Sequence, residues 1–294
     1  MIQWFPGHMA KTRRLIIDSI KHSDIVIETA DARLPQSSRN PIFDELIGAK
    51  KRLLVLTKED LADKKLTDPW VKYYTSNNIK TIAVNVLKQN ARGKILNAIR
   101  LEAEPVIVKR RNRGIINNTI RIMVVGIPNV GKSTLINLLS QKGVAATGDK
   151  PGVTKGKQWI RLENDIDLLD MPGMLWPKFE NQEIGFKLAS CGAISDNVVD
   201  LQELSIWLIE WMIMNYSGSL KCRYGASEDQ KPEEILREIS KRRGFLLRGG
   251  VIDTYKGAVM LLDEFRAGII ASVTMDELPK ESNLTSKAEI DDGE

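Results

Sequence analysis

Five short runs of apolar, mostly branched residues recur before residue 170: Ile25-Val26-Ile27, Leu53-Leu54-Val55-Leu56, Thr81-Ile82-Ala83-Val84, residues 120–125 and residues 166–169. Most are near-continuously apolar rather than alternating. That pattern suits strands covered on both faces, as in a parallel sheet. Helical spacing between them predicts helices over 67–77, 92–103 and 132–141, so strand and helix alternate as in a doubly wound α/β fold. Residues 10–22 predict an amphipathic helix, with Leu15, Ile16 and Ile20 near one face and Lys11, Arg14, Asp18 and Lys21 largely opposite. Residues 157–162 predict an antiparallel edge strand. Pro105 and the basic run 109–114 predict a surface connection between the two halves of the sheet.

Past residue 180 the strand signals stop, and helices are predicted over 183–193, 201–216, 232–243 and 255–267. Pro232 suits a first turn, with Glu233 and Glu234 behind it. Trp207 and Trp211, four residues apart on one helix, fit a core better than a base-stacking platform. The expected organisation is a mostly parallel α/β domain over 1–179, a smaller all-helical domain over 180–275, and a disordered acidic tail over 276–294. A chain of 294 residues has room for both domains.

Composition narrows the class. Hydrophobic residues at 43% and charged residues at 28% are those of a soluble protein, and the longest apolar stretch, 206–214, is broken by Glu210. No membrane span and no secretory leader are expected. Cys191 and Cys222 make no disulfide framework or metal spacing, which fits a reducing cytoplasm and a packing role for both. Residues 1–114 carry 22 Lys/Arg against 12 Asp/Glu, whereas residues 181–280 carry 12 against 15. Two readings of the basic half stand equally on charge alone, a polyanionic partner and a solubilising surface.

Candidate chemistry centres on Gly126-Ile127-Pro128-Asn129-Val130-Gly131-Lys132-Ser133, a G-x-x-x-x-G-K-S phosphate loop. An apolar run enters it, and a helical pattern from Thr134 leaves it, which is the context such a loop needs. Backbone N–H groups of residues such as Val130, Gly131 and Thr134 would meet phosphates, Lys132 would bridge the β- and γ-phosphates, and Ser133 would bind Mg2+. Downstream, the strand ending Asp170-Met171-Pro172-Gly173 offers a carboxylate for Mg2+ and the Gly173 N–H for the γ-phosphate. Between them Pro151-Gly152-Val153-Thr154 supplies Thr154 as a second magnesium-sensing hydroxyl; an idle threonine in a Pro-Gly turn is the plain alternative.

Guanine differs from adenine in its N1–H and N2 amino donors, which one carboxylate can accept together. Thr57-Lys58-Glu59-Asp60 ends an apolar strand with Asp60 suited to that task and the Lys58 stem to lie over the base. No such tetrad follows Gly173. The base-reading motif therefore precedes the phosphate loop, and the chain reads as a circularly permuted GTPase. Asn85-Val86, after the next strand, would support the base from its other side.

With this motif order, Trp4-Phe5-Pro6-Gly7-His8-Met9, Asp31-Ala32-Arg33, Ser37-Ser38-Arg39-Asn40-Pro41 and Gly152-Val153-Thr154 make the chain resemble the YlqF/RbgA family, ribosome biogenesis GTPase A, over roughly residues 1–275. The resemblance implies a GTPase that binds the precursor of the large ribosomal subunit, acts with Mg2+ and GTP/GDP in the cytoplasm, and is released after hydrolysis. Thr57 departs from the family's usual asparagine. Met174 follows Gly173 where many GTPases carry a water-orienting glutamine, so turnover is expected to be slow alone and stimulated by the subunit. His8 is the implied water-positioning residue, with packing near Trp4 or an RNA contact as its alternative role. Asn129 resembles the asparagine by which some GTPases hold K+; loop stabilisation is the other reading. Arg237, Lys241, Arg242, Arg243 and Arg248 are the implied rRNA contacts of the helical domain, with an ordinary solvated helix face as the alternative, and a monomer is expected. Two other classes compete: an rRNA-binding scaffold with a structural nucleotide and negligible turnover, and a P-loop ATPase or kinase, against which Asp60 argues.

Overall fold

A computed structural model of the chain describes residues 6–115, 118–141, 158–163, 165–171, 173–174 and 181–279, with backbone only for 6–12 and 158. The elements run α1 Pro6–His22, β1 Ile25–Asp31, α2 Ile42–Ile47, β2 Lys51–Thr57, α3 Lys64–Ser76, β3 Lys80–Ala83, α4 Ala91–Asn112, β4 Ile120–Gly126, α5 Lys132–Ser140, β5 Gln158–Glu163 and β6 Ile166–Asp170. Then follow α6 Gln182–Ser190, α7 Leu201–Asn215, α8 Ser219–Tyr224, α9 Pro232–Arg242 and α10 Thr254–Arg266.

The six strands form one sheet in the order β3-β2-β1-β4-β6-β5, parallel except for β5, which runs antiparallel to β6 at the edge. Successive strand residues face opposite sides. Ile25, Ile27, Leu53, Val55, Ile122 and Val124 turn to α4 and α5, where Ile95, Ile99, Leu135 and Leu139 meet them. Val26, Met123, Val125 and Leu169 face Ile16 and Ile20 of α1 and Phe43 and Ile47 of α2. Leu54 and Leu56 pack under Trp70 and Tyr74 of α3. Burial on both sides is why these strands read as continuous apolar runs.

From β1 the chain builds outward through β2 to β3, and from β4 it builds the other way to β6 and β5. The switch point therefore lies between β1 and β4, whose carboxyl ends frame the crevice where such sheets bind ligands. Register brings the site-bearing ends level: Thr29 opposite Gly126, Asp31 opposite Thr57, and Val124 opposite Asp170.

The structure corrects three expectations. Pro105 does not open a surface connection; α4 runs through it to Asn112. Pro105 and Leu101 lie on the exposed face, so the Leu101 carbonyl that loses its N–H partner can be hydrated, while Ile99 and Ala103 hold the other face in the core. Lys109, Arg110 and Arg111 form the last turn of that helix, where positive charge is favourable. Residue 276 is no part of a disordered segment, because Asp276 is buried and accepts hydrogen bonds from the Gln36 and Ser37 N–H groups at 2.9 and 2.7 Å; residues 280–294 of the expected tail lie outside the described residues. Cys191 packs in the core, but Cys222 is exposed.

Helices α6 to α10 share a core of Leu188, Leu204, Leu208, Trp211, Leu220, Ile235, Ile239, Leu261 and Phe265, which continues to Leu34, Ile127 and Val130 beside the phosphate loop. Trp207 stacks on Phe186 with centroids 5.3 Å apart, against that core. Among the described residues no helix is long and apolar enough to cross a membrane.

Candidate functional site

The phosphate loop needs glycine where the chain is tightest. At Gly126 a Cβ would lie 2.2 Å from Thr29 Oγ1, and at Gly131 the backbone is left-handed, φ 89°. Asn129 is left-handed too, φ 59°, a conformation asparagine tolerates better than most residues. Gly131 caps α5, so the loop leads into a helix N-terminus whose N–H groups lack intrahelical partners. Lys132 and Asp170 are both buried, with Nζ 3.0 Å from Oδ1. The start of α5 and the end of β6 thus bring a buried cation and a buried anion together.

The chain after β6 presses directly on this loop. A Cβ at Gly173 would lie 3.0 Å from the Pro128 nitrogen, and the Met174 N–H donates to Gly126 O at 3.1 Å. The Met174 side chain is 3% exposed and packs with Ile16, Ile20, Phe43 and Met171. Asn40 Nδ2 donates to the Met174 carbonyl at 2.8 Å, fixing the same turn from the other side.

The tetrad expected to read the base arrives from the opposite half of the sheet. The Thr57 hydroxyl lies within hydrogen-bonding distance of Ala30 O, at 3.1 Å, and of Val130 O, so it ties the ends of β1 and β2 to the phosphate loop. Threonine, shorter than the family's asparagine, makes this tie with an oxygen. Lys58, at φ 56°, sends Nζ to Asn129 O at 3.0 Å and to Asp31 Oδ2 at 2.9 Å. Asp60 is exposed at the mouth of the crevice. The Glu59 N–H reaches Val84 O at 3.4 Å, bringing the loop after β3 alongside. There Asn85 accepts from the Leu87 N–H at 2.9 Å, forming a turn, while Val86 is buried.

Among the expected site residues, the structure places Thr57, Lys58, Glu59, Asp60, Asn85, Val86, Asn129, Val130, Gly131, Lys132, Ser133, Thr134, Asp170 and Gly173 at the carboxyl ends of β2, β3, β4 and β6 or in the segments that follow them. Thr154 lies outside the described residues. His8 belongs to α1, with its side chain outside the described residues. The Asn129 amide nitrogen donates to Gly192 O at 3.0 Å, just past the end of α6.

Sequence reasoning missed one buried constellation. Asp31, at the end of β1, receives Arg33 Nε at 3.0 Å and Nη2 at 2.8 Å in a bidentate pair, and Lys58 on Oδ2. Burial works to raise the Asp31 pKa, but the Arg33 and Lys58 charges and hydrogen bonds outweigh it and hold the carboxyl well below the usual carboxylate range. Arg33 also donates to Cys191 O and Arg266 O, both at 3.2 Å, at the ends of α6 and α10. The available signal was an acidic residue closing an apolar strand, the same signal that marked Asp170.

The residues fit the magnesium that the resemblance implies. No group of three or more His, Cys, Asp or Glu that could hold a metal occurs among the described residues. One carboxylate and one hydroxyl beside a phosphate loop is the sparse donor set from which Mg2+ keeps waters and phosphate oxygens as its other ligands.

Comparison with known proteins agrees with this geometry. The family described as 50S ribosome-binding GTPase matches residues 121–242, a span that starts within β4 and so after the base-reading tetrad. Ribosome biogenesis GTPase A of Bacillus cereus is 45% identical over 96% of this chain and 95% of its own, and that of Priestia megaterium is 43% identical over 94% and 96%. The GNP-bound structure of YlqF from T. maritima superposes with a TM-score of 0.65 at 25% identity, over 91% of this chain and 98% of that one. The GDP-bound structure of TM YlqF gives 0.67 at 24% identity, over 90% and 99%, a likeness of fold. The motifs, the permuted sheet and these identities over nearly whole chains agree: the chain belongs to the ribosome biogenesis GTPase A family, GTPases of ribosome assembly.

Proposed function

We propose that this protein is a GTP-hydrolysing switch that binds the precursor of the large ribosomal subunit, promotes its late assembly and leaves after hydrolysis. The observation that carries this reading is the meeting of Thr57 and Lys58 with Asn129 and Val130, which joins a base-reading loop to a phosphate loop across the switch point of the sheet. Asp60 accepts the guanine N1–H and N2 amino donors, and the Lys58 stem covers the base, with Asn85 and Val86 supporting its far side. The loop N–H groups through Thr134, together with Lys132, hold the phosphates, and the Gly173 N–H meets the γ-phosphate. Ser133, Asp170 and Thr154 would hold Mg2+, whose chemistry when bound is neutralisation of charge on the β- and γ-phosphates. K+ would take the Asn129 amide oxygen, since its nitrogen is engaged by Gly192 O.

Met174 is what makes turnover slow. Its side chain is packed under α1, so that position cannot orient an attacking water. His8 supplies the orientation once the ribosomal subunit fixes the N-terminal segment. Loss of the γ-phosphate frees Gly173 and Met174, which press on the phosphate loop, and the change passes along the chain to the helices from α6 onward. Those helices, proposed here as a separate module over 180–275, meet rRNA phosphates through Arg237, Lys241 and Arg248, which are exposed. Arg242 and Arg243 are paired with Glu238 and Glu264, which weakens the case for them as phosphate contacts.

The test is GTP turnover with and without isolated large-subunit precursor. A slow basal rate should rise on the order of 10²-fold or more with the particle, His8→Ala should lose that rise while keeping nucleotide affinity, and sodium in place of potassium should lower the rate. Turnover indifferent to the particle would favour a binding scaffold, and a fully stimulated His8→Ala chain would remove His8 from the chemistry.

A further inference from the structure

Lys58 is an unusual lysine to find well oriented. Its ammonium lies at the edge of the crevice, only 25% exposed, with one contact on the phosphate loop and another on the buried Asp31 carboxylate. A lysine stem has four rotatable bonds and covers a planar base only if its far end is held. Asn129 O supplies one fixed point and Asp31 Oδ2 the other. Asp31 cannot drift, since Arg33 clasps both of its oxygens, the Ser38 hydroxyl accepts from its N–H at 2.8 Å, and its side chain is 3% exposed. Arg33 is held in turn by the Cys191 and Arg266 carbonyls at 3.2 Å.

The geometry points to Asp31 as a positioning residue for nucleotide recognition, orienting Lys58 for the base and, through Arg33, linking that orientation to the ends of α6 and α10. This rests on the reading of Lys58 as a base contact. Guanine binding, which needs Lys58 in place, then favours the docked arrangement of the helices, and docking favours binding by the same factor. Asn129, bonded through its side chain to Gly192 O one residue past Cys191, is a second tie from the nucleotide loops to the same helix end.

Removing Asp31 alone would leave Arg33 as an unpaired buried cation, so the informative variant is Asp31→Asn with Arg33→Met, which removes the pair together. Calorimetric titration with GDP is run on the parent, on this double variant, on Lys58→Ala and on the triple variant. The double variant should weaken GDP binding about tenfold where Lys58 is present and hardly at all where it is alanine, the non-additivity expected of residues acting through one another. Equal weakening on both backgrounds, or none on the parent, overturns the inference and leaves a merely structural ion pair. Lys58→Ala binding GDP as tightly as the parent is a different pattern: it overturns the base-site reading itself. Arg33→Met alone, which keeps the Asp31–Lys58 contact, serves if the double variant does not fold. Its GDP affinity should fall, though by less than the double variant's because Asp31 still meets Lys58, and GDP-induced protection of the amides ending α6 and α10 from hydrogen exchange should be lost with it; protection identical to the parent's overturns the link.

Discussion

Asp60 illustrates how much chemistry one position can announce. A carboxylate after an apolar strand and a lysine suits two adjacent donors, which guanine has and adenine lacks. Exchanging it for asparagine presents one acceptor and one donor. Asp60→Asn should therefore weaken GDP binding on the order of 10²-fold or more, two charge-assisted hydrogen bonds being at stake, and should shift preference towards xanthosine diphosphate, whose O2 accepts the new amide donor. Competition titrations with the two diphosphates measure this, and an unaltered ranking would displace Asp60 from the base. Met174 was legible only as a residue unable to hold water; its burial with Ile16, Ile20 and Phe43 shows that the position has become a hydrophobic anchor. Asp31 and Asn40 could be seen as motif residues but not as a lysine clamp and a clasp on Met174 O, because those partners lie 27 and 134 positions away.

Strands were easier to read than helix limits. Apolar runs buried on both faces announce themselves, so β1, β2, β4 and β6 were legible from local pattern. Helix ends depend on single caps and on what a face packs against. Asp63, accepting from the Lys65 N–H at 2.9 Å, starts α3 earlier than its apolar spacing suggests. In α4 a proline outvoted the pattern on paper but not in the fold, where Ile95, Ile99 and Ala103 hold the buried face. Pro105→Ala restores the missing N–H to the Leu101 carbonyl without touching that face. It should raise unfolding free energy by about 1–3 kcal/mol, read as a higher denaturant midpoint; a lower midpoint would mean the proline is required by a local bend.

At the scale of the whole molecule, ion pairs set the response to acid. Asp31 is held well below its ordinary range in the folded protein, so the unfolded chain takes up that proton first. Stability supplied by the pair is complete well above the unfolded value of about 3.9 and is lost as pH falls below it towards the lower folded value. Glu163, Asp165 and Glu264 are lowered as well, by hydrogen bonds from Arg100, Arg100 and Arg223, and add to the same slope. Denaturant midpoints should fall between about pH 5 and pH 3, and the Asp31→Asn, Arg33→Met chain should fall less steeply; parallel slopes would show that Asp31 carries no proton linkage.

Local information was enough for the sequence to determine the α/β class, the phosphate-loop motif, the Thr57-Lys58-Glu59-Asp60 tetrad and the order of the two, because each rests on neighbours within one strand, turn or helix. Only tertiary structure decided that Asp31, Arg33 and Lys58 form one charge cluster, that Asn129 reaches Gly192, and that Asp276 is built into the loop after β1. Parallel pairing and helix docking join residues far apart in the chain, and which charges become buried partners depends on that three-dimensional neighbourhood, which no local spacing encodes.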